Sequence, residues 1–194
     1  MSNTEFQFLV EQHFHFLQER YGFARLVFDD FSTRFEGERV VIVVVYDATR
    51  SHELGVLISL RAGIAHAVER PFEIHEWLKT IGPFSGFDAK RWEYVRHEDA
   101  NAAIQQIAVL LESFGSNVLS GDTATFDQLD RQRDMNCQQL ADETSLRYAR
   151  NLVAKAWLRS DYTAVVTAFS PLEKELTDSE RMKLEIARKR TSLE

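Results

Sequence analysis

The apolar run Val40–Tyr46 constrains the fold of this chain more than any other feature of its sequence. Most of its residues are β-branched, which favours a strand. A strand with one face in water alternates between apolar and polar residues, and this run does not alternate. We therefore predict a central strand covered on both faces, with Val43 buried. The run is much shorter than the roughly 20 apolar residues that cross a bilayer, so no membrane contact is expected.

Further segments around this run also have the composition of strands, because they are rich in Val, Ile, Thr, Phe and Tyr and are separated by short polar turns. We place four strands at residues 24–29, 32–36, 39–46 and 53–60. Connections this short allow only antiparallel neighbours, since a parallel crossover needs about a dozen residues. Before them, residues 4–21 carry apolar side chains at three- and four-residue steps and end at Gly22, as an amphipathic helix with a left-handed cap does.

The second half of the chain has helical periodicity. We predict a helix that follows an N-cap at Asp99 and carries its apolar stripe at residues 103–114. Further helices are predicted at residues 125–130, 135–159 and 161–169, with a last helix that begins at a capping box of Thr177 and Glu180. The predicted fold class is therefore α+β. An N-terminal helix plus a four-stranded antiparallel sheet is followed by an all-helical C-terminal half.

The densest turn signal lies between these two regions, at Gly82-Pro83-Phe84-Ser85-Gly86. We expect short helices at residues 72–81 and 89–95 on either side of it. The predicted domains are residues 1–95, with the helix, sheet and junction, and residues 96–194, a helical region packed on the sheet. A single domain that contains both is the alternative.

A group of small and aromatic residues near the C-terminus has the spacing of a helical hairpin. Its members are Ala154, Ala156, Trp157, Asp161, Tyr162, Val165 and Phe169. On these residues, the segment 148–190 resembles a single tetratricopeptide-type hairpin. The resemblance implies packed helices with a protein-binding groove. Pro171 comes early for this family, and the chain has no second copy at the period of about 34 residues.

No motif in the sequence predicts catalysis. The zinc-protease pattern that starts at His75-Glu76 needs a histidine at position 79, where Lys79 would repel a metal ion. Ser85 is the fourth residue of its glycine-flanked turn, whereas the hydrolase elbow has a central serine. The sequence also lacks a phosphate-binding loop. We therefore expect no catalytic residue, metal or cofactor.

Cys137 is the only cysteine, so the chain has no internal disulfide, which fits a reducing compartment. It lies in a predicted helix without a neighbouring histidine that could lower the pKa of its thiol, and we predict a packing role. The first residues lack the basic and apolar regions of a secretory signal. A cytoplasmic location is expected.

The charge distribution points to a kind of partner. The net charge of −7 argues against nucleic acid, since phosphate contacts require basic patches. Between Arg96 and Glu143 there are nine acidic and three basic residues, which gives −6 in this stretch. This stretch is either a solvated face or a surface for a basic protein partner. The candidate partner-binding residues are Trp92, Tyr94, Asp127, Asp130 and Asp134.

These observations favour a non-enzymatic protein-binding module with an acidic helical surface, for example an immunity-type or adaptor protein. The alternative is a hydrolase-like enzyme whose site is assembled only in three dimensions. A concave pocket with convergent polar groups would support the enzyme, and a flat or grooved acidic face would support the binding module. The sequence gives no indication of the oligomeric state.

Overall fold

The computed structural model describes residues 2–29, 31–47, 50–63, 70–82 and 95–192. It is 65% helix and 15% strand, with an N-terminal helix, an antiparallel sheet and a mostly helical C-terminal half, which confirms the α+β class. The chain divides into two compact units, Met1–Arg133 and Asp134–Glu194. Sequence analysis placed its domain boundary near residue 95. Among the described residues, no helix is long and apolar enough to cross a membrane.

The first unit begins with a helix and an antiparallel sheet. Its elements are α1 Asn3–Tyr21, β1 Ala24–Asp29, β2 Ser32–Glu36, β3 Val40–Tyr46, β4 Leu54–Leu60, β5 Phe72–Glu73, α2 Ile74–Thr80, α3 Ala100–Phe114, α4 Ser116–Ser120 and the first part of α5 Thr123–Leu158. Gly22 ends α1 in the left-handed conformation, at φ 67°, as predicted. Rings of α1 pack on the sheet, and the centroids of Phe14 and Phe35 lie 6.0 Å apart.

Strand β3 occupies the centre of the sheet, whose order is β1-β2-β3-β4-β5. The prediction of neighbours on both edges is confirmed, because Val43 pairs with Arg34 on one side and with Leu57 on the other. The prediction that Val43 is buried is wrong, since it is only half-buried, whereas Ile42 is fully buried. The cross-strand neighbours of Val43, Arg34 and Leu57, are half-buried as well, so this face of the sheet is partly exposed to solvent.

A fifth strand precedes α2, where a helix over residues 72–81 was predicted. Phe72 and Glu73 pair with Ile58 and Leu57 of β4, and α2 begins only at Ile74. Glu76 helps to start this helix, because the Glu73 N–H donates to its carboxylate at 2.9 Å. The predicted count of four strands is therefore one too low. A two-residue strand is too short to show alternation in the sequence.

The second unit consists of the end of α5 with α6 Tyr162–Phe169 and α7 Asp178–Thr191. The predicted capping box is confirmed: the Thr177 N–H donates to Glu180 Oε2 at 2.8 Å, and the Glu180 N–H donates to Thr177 Oγ1 at 3.4 Å. The core of this unit contains Ala149, Val153, Ala156, Val165, Phe169, Leu176, Leu184 and Ala187.

Helix α5 is continuous over 36 residues, whereas separate helices at residues 125–130 and 135–159 were predicted. The apolar periodicity fades between residues 130 and 135, but no glycine or proline interrupts the chain there, so the backbone hydrogen bonds continue. Cys137 lies in this helix as expected. It is exposed, so its predicted packing role is wrong.

Candidate functional site

The five candidate partner-binding residues fall in different parts of the chain. Trp92 and Tyr94 lie outside the described residues, as do residues 89–94 of the predicted helix and most of the turn before it. Asp127 and Asp130 belong to the first unit and are half-buried, and Asp134 is exposed in the second unit. Their role in binding a partner stays a prediction.

Several acids of the first unit have partners within that unit. Glu112 lies 2.8 Å from Arg20, and Arg96 pairs with both Glu98 and Asp99. Asp122 starts α5, because the hydroxyl and the N–H of Thr125 donate to its carboxylate at 2.7 and 2.9 Å and lower its pKa. These carboxylates therefore already have partners within the first unit, which reduces the share of the acidic stretch that is available to another molecule.

The acids of the second unit are more accessible. We call residues 134–145 of α5 the exposed segment, because all twelve of them are exposed. The segment contains Asp134, Asp142 and Glu143 and no basic residue, so its charge is −3. Gln138 donates to Asp142 at 2.8 Å and Gln139 donates to Glu143 at 2.9 Å. Because both donors are uncharged amides, these bonds do not neutralise either carboxylate. Because every side of this segment is exposed, it gains little stability from tertiary packing.

A groove lies along one side of the exposed segment, within the second unit. Its volume is about 380 Å³, and it is lined by Met135, Gln138, Gln139, Asp142, Glu143, Leu146 and Glu175. The groove therefore combines two apolar side chains with three carboxylates and contains no basic residue. Met135 is 58% exposed, which is unusual for a large apolar residue that only fills a core. The sequence predicted the acids of α5 but not the contribution of Glu175, which lies 32 positions after Glu143.

Ionic contacts support the helices of the second unit. The Arg150 guanidinium donates to both carboxylate oxygens of Glu180, at 2.6 and 3.2 Å. These bonds, with those from the Thr177 N–H and hydroxyl, outweigh the effect of burial and lower the pKa of Glu180 to about 2. Near the following turn, the rings of Trp157 and Tyr162 meet edge to face at 5.8 Å. The groove thus lies on a unit with its own core and its own ionic contacts.

A second concave site lies in the first unit, over the face of the sheet that is only partly buried. Its volume is about 770 Å³, within the range of small-molecule pockets. Val45, Leu57 and Ile74 contribute apolar surface. The described titratable residues around it are Asp29, Tyr46, Asp47, Glu53, Glu73, His75 and Lys79. The sequence carries no signal for this pocket, because its lining comes from seven separate stretches of chain between residues 29 and 79.

Among the described residues that line this pocket, His75 is the only histidine. Its Nδ1 lies 2.9 Å from Oε2 of Glu73, so a carboxylate orients the ring. Across the described part of the chain, no group of three or more His, Cys, Asp and Glu residues has a geometry that could hold a metal ion. With Glu73 beside it, the His75 ring can serve as an oriented proton donor or acceptor at the edge of the pocket.

Comparison of the chain with protein-family models, with curated proteins and with solved structures finds no match. The groove of the second unit and the pocket of the first unit are the two candidate sites.

Proposed function

We propose that this protein is a protein-binding module that holds a basic segment of a partner in the groove of its second unit. The observation that carries the proposal is the composition of this groove, which Asp142, Glu143 and Glu175 line together with Met135 and Leu146. A complementary segment presents Lys or Arg side chains around one or two apolar residues. This function has two concrete forms. One is an immunity-type protein that neutralises a basic toxin, and the other is an adaptor.

Electrostatics determines how such a complex forms. Carboxylates on an exposed helix mainly accelerate the encounter with a basic partner, and salt screens them over about 8 Å at physiological ionic strength. Association is therefore expected to slow as salt rises, while the apolar contacts at Met135 and Leu146 limit dissociation. Of the groove residues, only Glu175 falls within residues 148–190, so the tetratricopeptide resemblance concerns a different part of the unit.

The proposal is tested by reversing one charge inside the groove and one outside it. Glu143→Lys changes the groove, and Glu185→Lys makes the same change of charge at an exposed position of α7 that does not line it. Both variants and the wild type are used for affinity purification from the native cell at low and high salt. We expect a basic protein whose recovery falls with Glu143→Lys by tenfold or more, as loss of close charge complementarity predicts, and is unchanged with Glu185→Lys. Equal recovery of every protein by both variants would contradict the proposal.

The pocket of the first unit supports a second candidate function, a hydrolase-like enzyme. The observation that favours it is the Glu73–His75 pair at the edge of a cavity of about 770 Å³. A carboxylate-oriented histidine is a common general base. The test is hydrolysis of a panel of ester and phosphoester substrates by the wild type and by His75→Gln. We expect turnover that His75→Gln reduces by at least about 100-fold without a change in melting temperature. Absence of turnover by the wild type would exclude this candidate for the substrates tested.

A further inference from the structure

One side of α5, next to the side that packs into the core of the second unit, carries a regular set of exposed residues. At roughly 100° per residue, they fall within an arc of roughly 100° around the helix axis, and the buried Ala149, Val153 and Ala156 point into the adjacent arc, whose centre is roughly 100° away. We call this set the pairing face. Its members are Asp134, Cys137, Ala141, Thr144, Ser145, Tyr148, Leu152 and Lys155, and all eight are exposed.

The pairing face is complementary to itself when one copy is reversed. Its positions are symmetric about the bond between Thr144 and Ser145, so an antiparallel second copy brings every member level with another member. Small residues then lie opposite large ones, Ala141 against Tyr148 and Cys137 against Leu152. Tyr148 is 67% exposed and Leu152 is 43% exposed, so both have surface to bury. Alternation of small and large side chains lets two helices approach closely.

The charges of the pairing face favour the same antiparallel arrangement. Asp134 lies at one end of this face and Lys155 lies at the other. An antiparallel second copy therefore brings the carboxylate of Asp134 level with the ammonium of Lys155 at both ends, and opposite charges at an interface favour this register. Asp142 and Glu143 line the groove and take no part in this arrangement.

We propose that a second copy of this chain packs antiparallel on the pairing face, with Asp134 of each copy beside Lys155 of the other. The resulting dimer has a two-fold axis at the Thr144–Ser145 bond, so the same surface serves both copies. The groove that we assign to a basic partner lies on another side of α5. The self-association therefore goes beyond the proposed function and does not depend on it.

A charge exchange tests the proposed pairing. Asp134→Lys places two lysines together at both ends of the dimer, and Lys155→Asp places two aspartates together. For each variant alone, the dimer dissociation constant measured by analytical ultracentrifugation is expected to be at least about tenfold higher than for the wild type. A mixture of the two variants restores opposite charges at both ends and is expected to form mixed dimers. Formation of mixed dimers also shows that both variants are folded.

The register is tested with disulfides. Leu152→Cys places a thiol level with the native Cys137 of the second copy, and oxidation is expected to give a covalent dimer rapidly. Ala154→Cys is the control, because position 154 is exposed but points away from the pairing face. A wild type that stays monomeric, equal crosslinking by the two cysteine variants, or a mixture of the charge variants that does not associate would each overturn the inference. If the wild type is monomeric but Glu143→Lys still reduces the recovery of a basic partner, the self-association is wrong and the proposed function stands.

Discussion

Ile42→Asp is expected to leave no soluble, folded protein, whereas Val43→Asp in the same strand is expected to leave a folded protein of reduced stability. Ile42 is fully buried among the rings that pack between α1 and the sheet. An unpaired carboxylate at this position lowers the free energy of unfolding by roughly several kcal/mol, even after the surrounding structure relaxes. That cost is a large part of the 5–15 kcal/mol, roughly, that stabilises a domain. Val43 is half-buried and lies opposite Arg34, which can pair with a new carboxylate.

The two variants are matched, because they make similar changes at adjacent positions of β3. The measurements are the yield of soluble protein and, for Val43→Asp, thermal unfolding by circular dichroism. If both variants are insoluble, both faces of the sheet are packed to the same degree, as the sequence alone predicted. If Ile42→Asp is soluble and folded, the core does not lie on the face that the structure assigns to it.

Glu76→Ala is expected to destabilise the first unit by about 2–3 kcal/mol, because it leaves the guanidinium of Arg133 without its carboxylate. Arg133 donates to both oxygens of Glu76, at 2.9 and 2.7 Å, and to the carbonyl oxygens of Arg70 and Pro71. Its guanidinium also lies 3.9 Å from the centre of the Phe72 ring. The Arg133 and Glu76 side chains are only 16% and 21% exposed, so solvent cannot fully replace the pair.

The same pair predicts how stability depends on pH. Burial opposes ionisation of Glu76, but the bonds from Arg133 and from the Glu73 N–H outweigh it and lower the pKa below the ordinary 4.5. The unfolded chain therefore binds the proton at a higher pH than the folded chain does. The contribution of the Glu76–Arg133 pair to the free energy of unfolding is complete above roughly pH 4.5, the pKa of Glu76 in the unfolded chain. It is lost as the pH falls through the lower pKa of Glu76 in the folded chain.

Glu98→Ala is the control for this prediction. Glu98 and its partner Arg96 are 69% and 64% exposed, and such surface pairs contribute about 0–1 kcal/mol. Urea unfolding of the three proteins at pH 7 and pH 3.5 measures the difference. A Glu76→Ala protein as stable as Glu98→Ala at pH 7 would show that the Arg133 contacts do not hold α2 and β5 in place.

Local signals along the chain predicted most of the secondary structure. Gly22 and Thr177 determine helix ends through contacts within a few residues, so their roles were visible in the sequence. The apolar run at β3 predicted a central strand, which the structure confirms. Strand β5 was missed, because Phe72 and Glu73 are extended only through their pairing with β4.

The amino-acid sequence by itself determined the fold class, the helix ends and the position of the acidic stretch, because these depend on residues that are neighbours along the chain. Only the tertiary structure decided which apolar and charged residues remain in contact with solvent. It left Val43 and Cys137 partly or fully exposed, joined Glu175 to the acids of α5, and assembled the pocket around His75. Exposure depends on what packs against a side chain, and those partners lie tens of residues away in the chain.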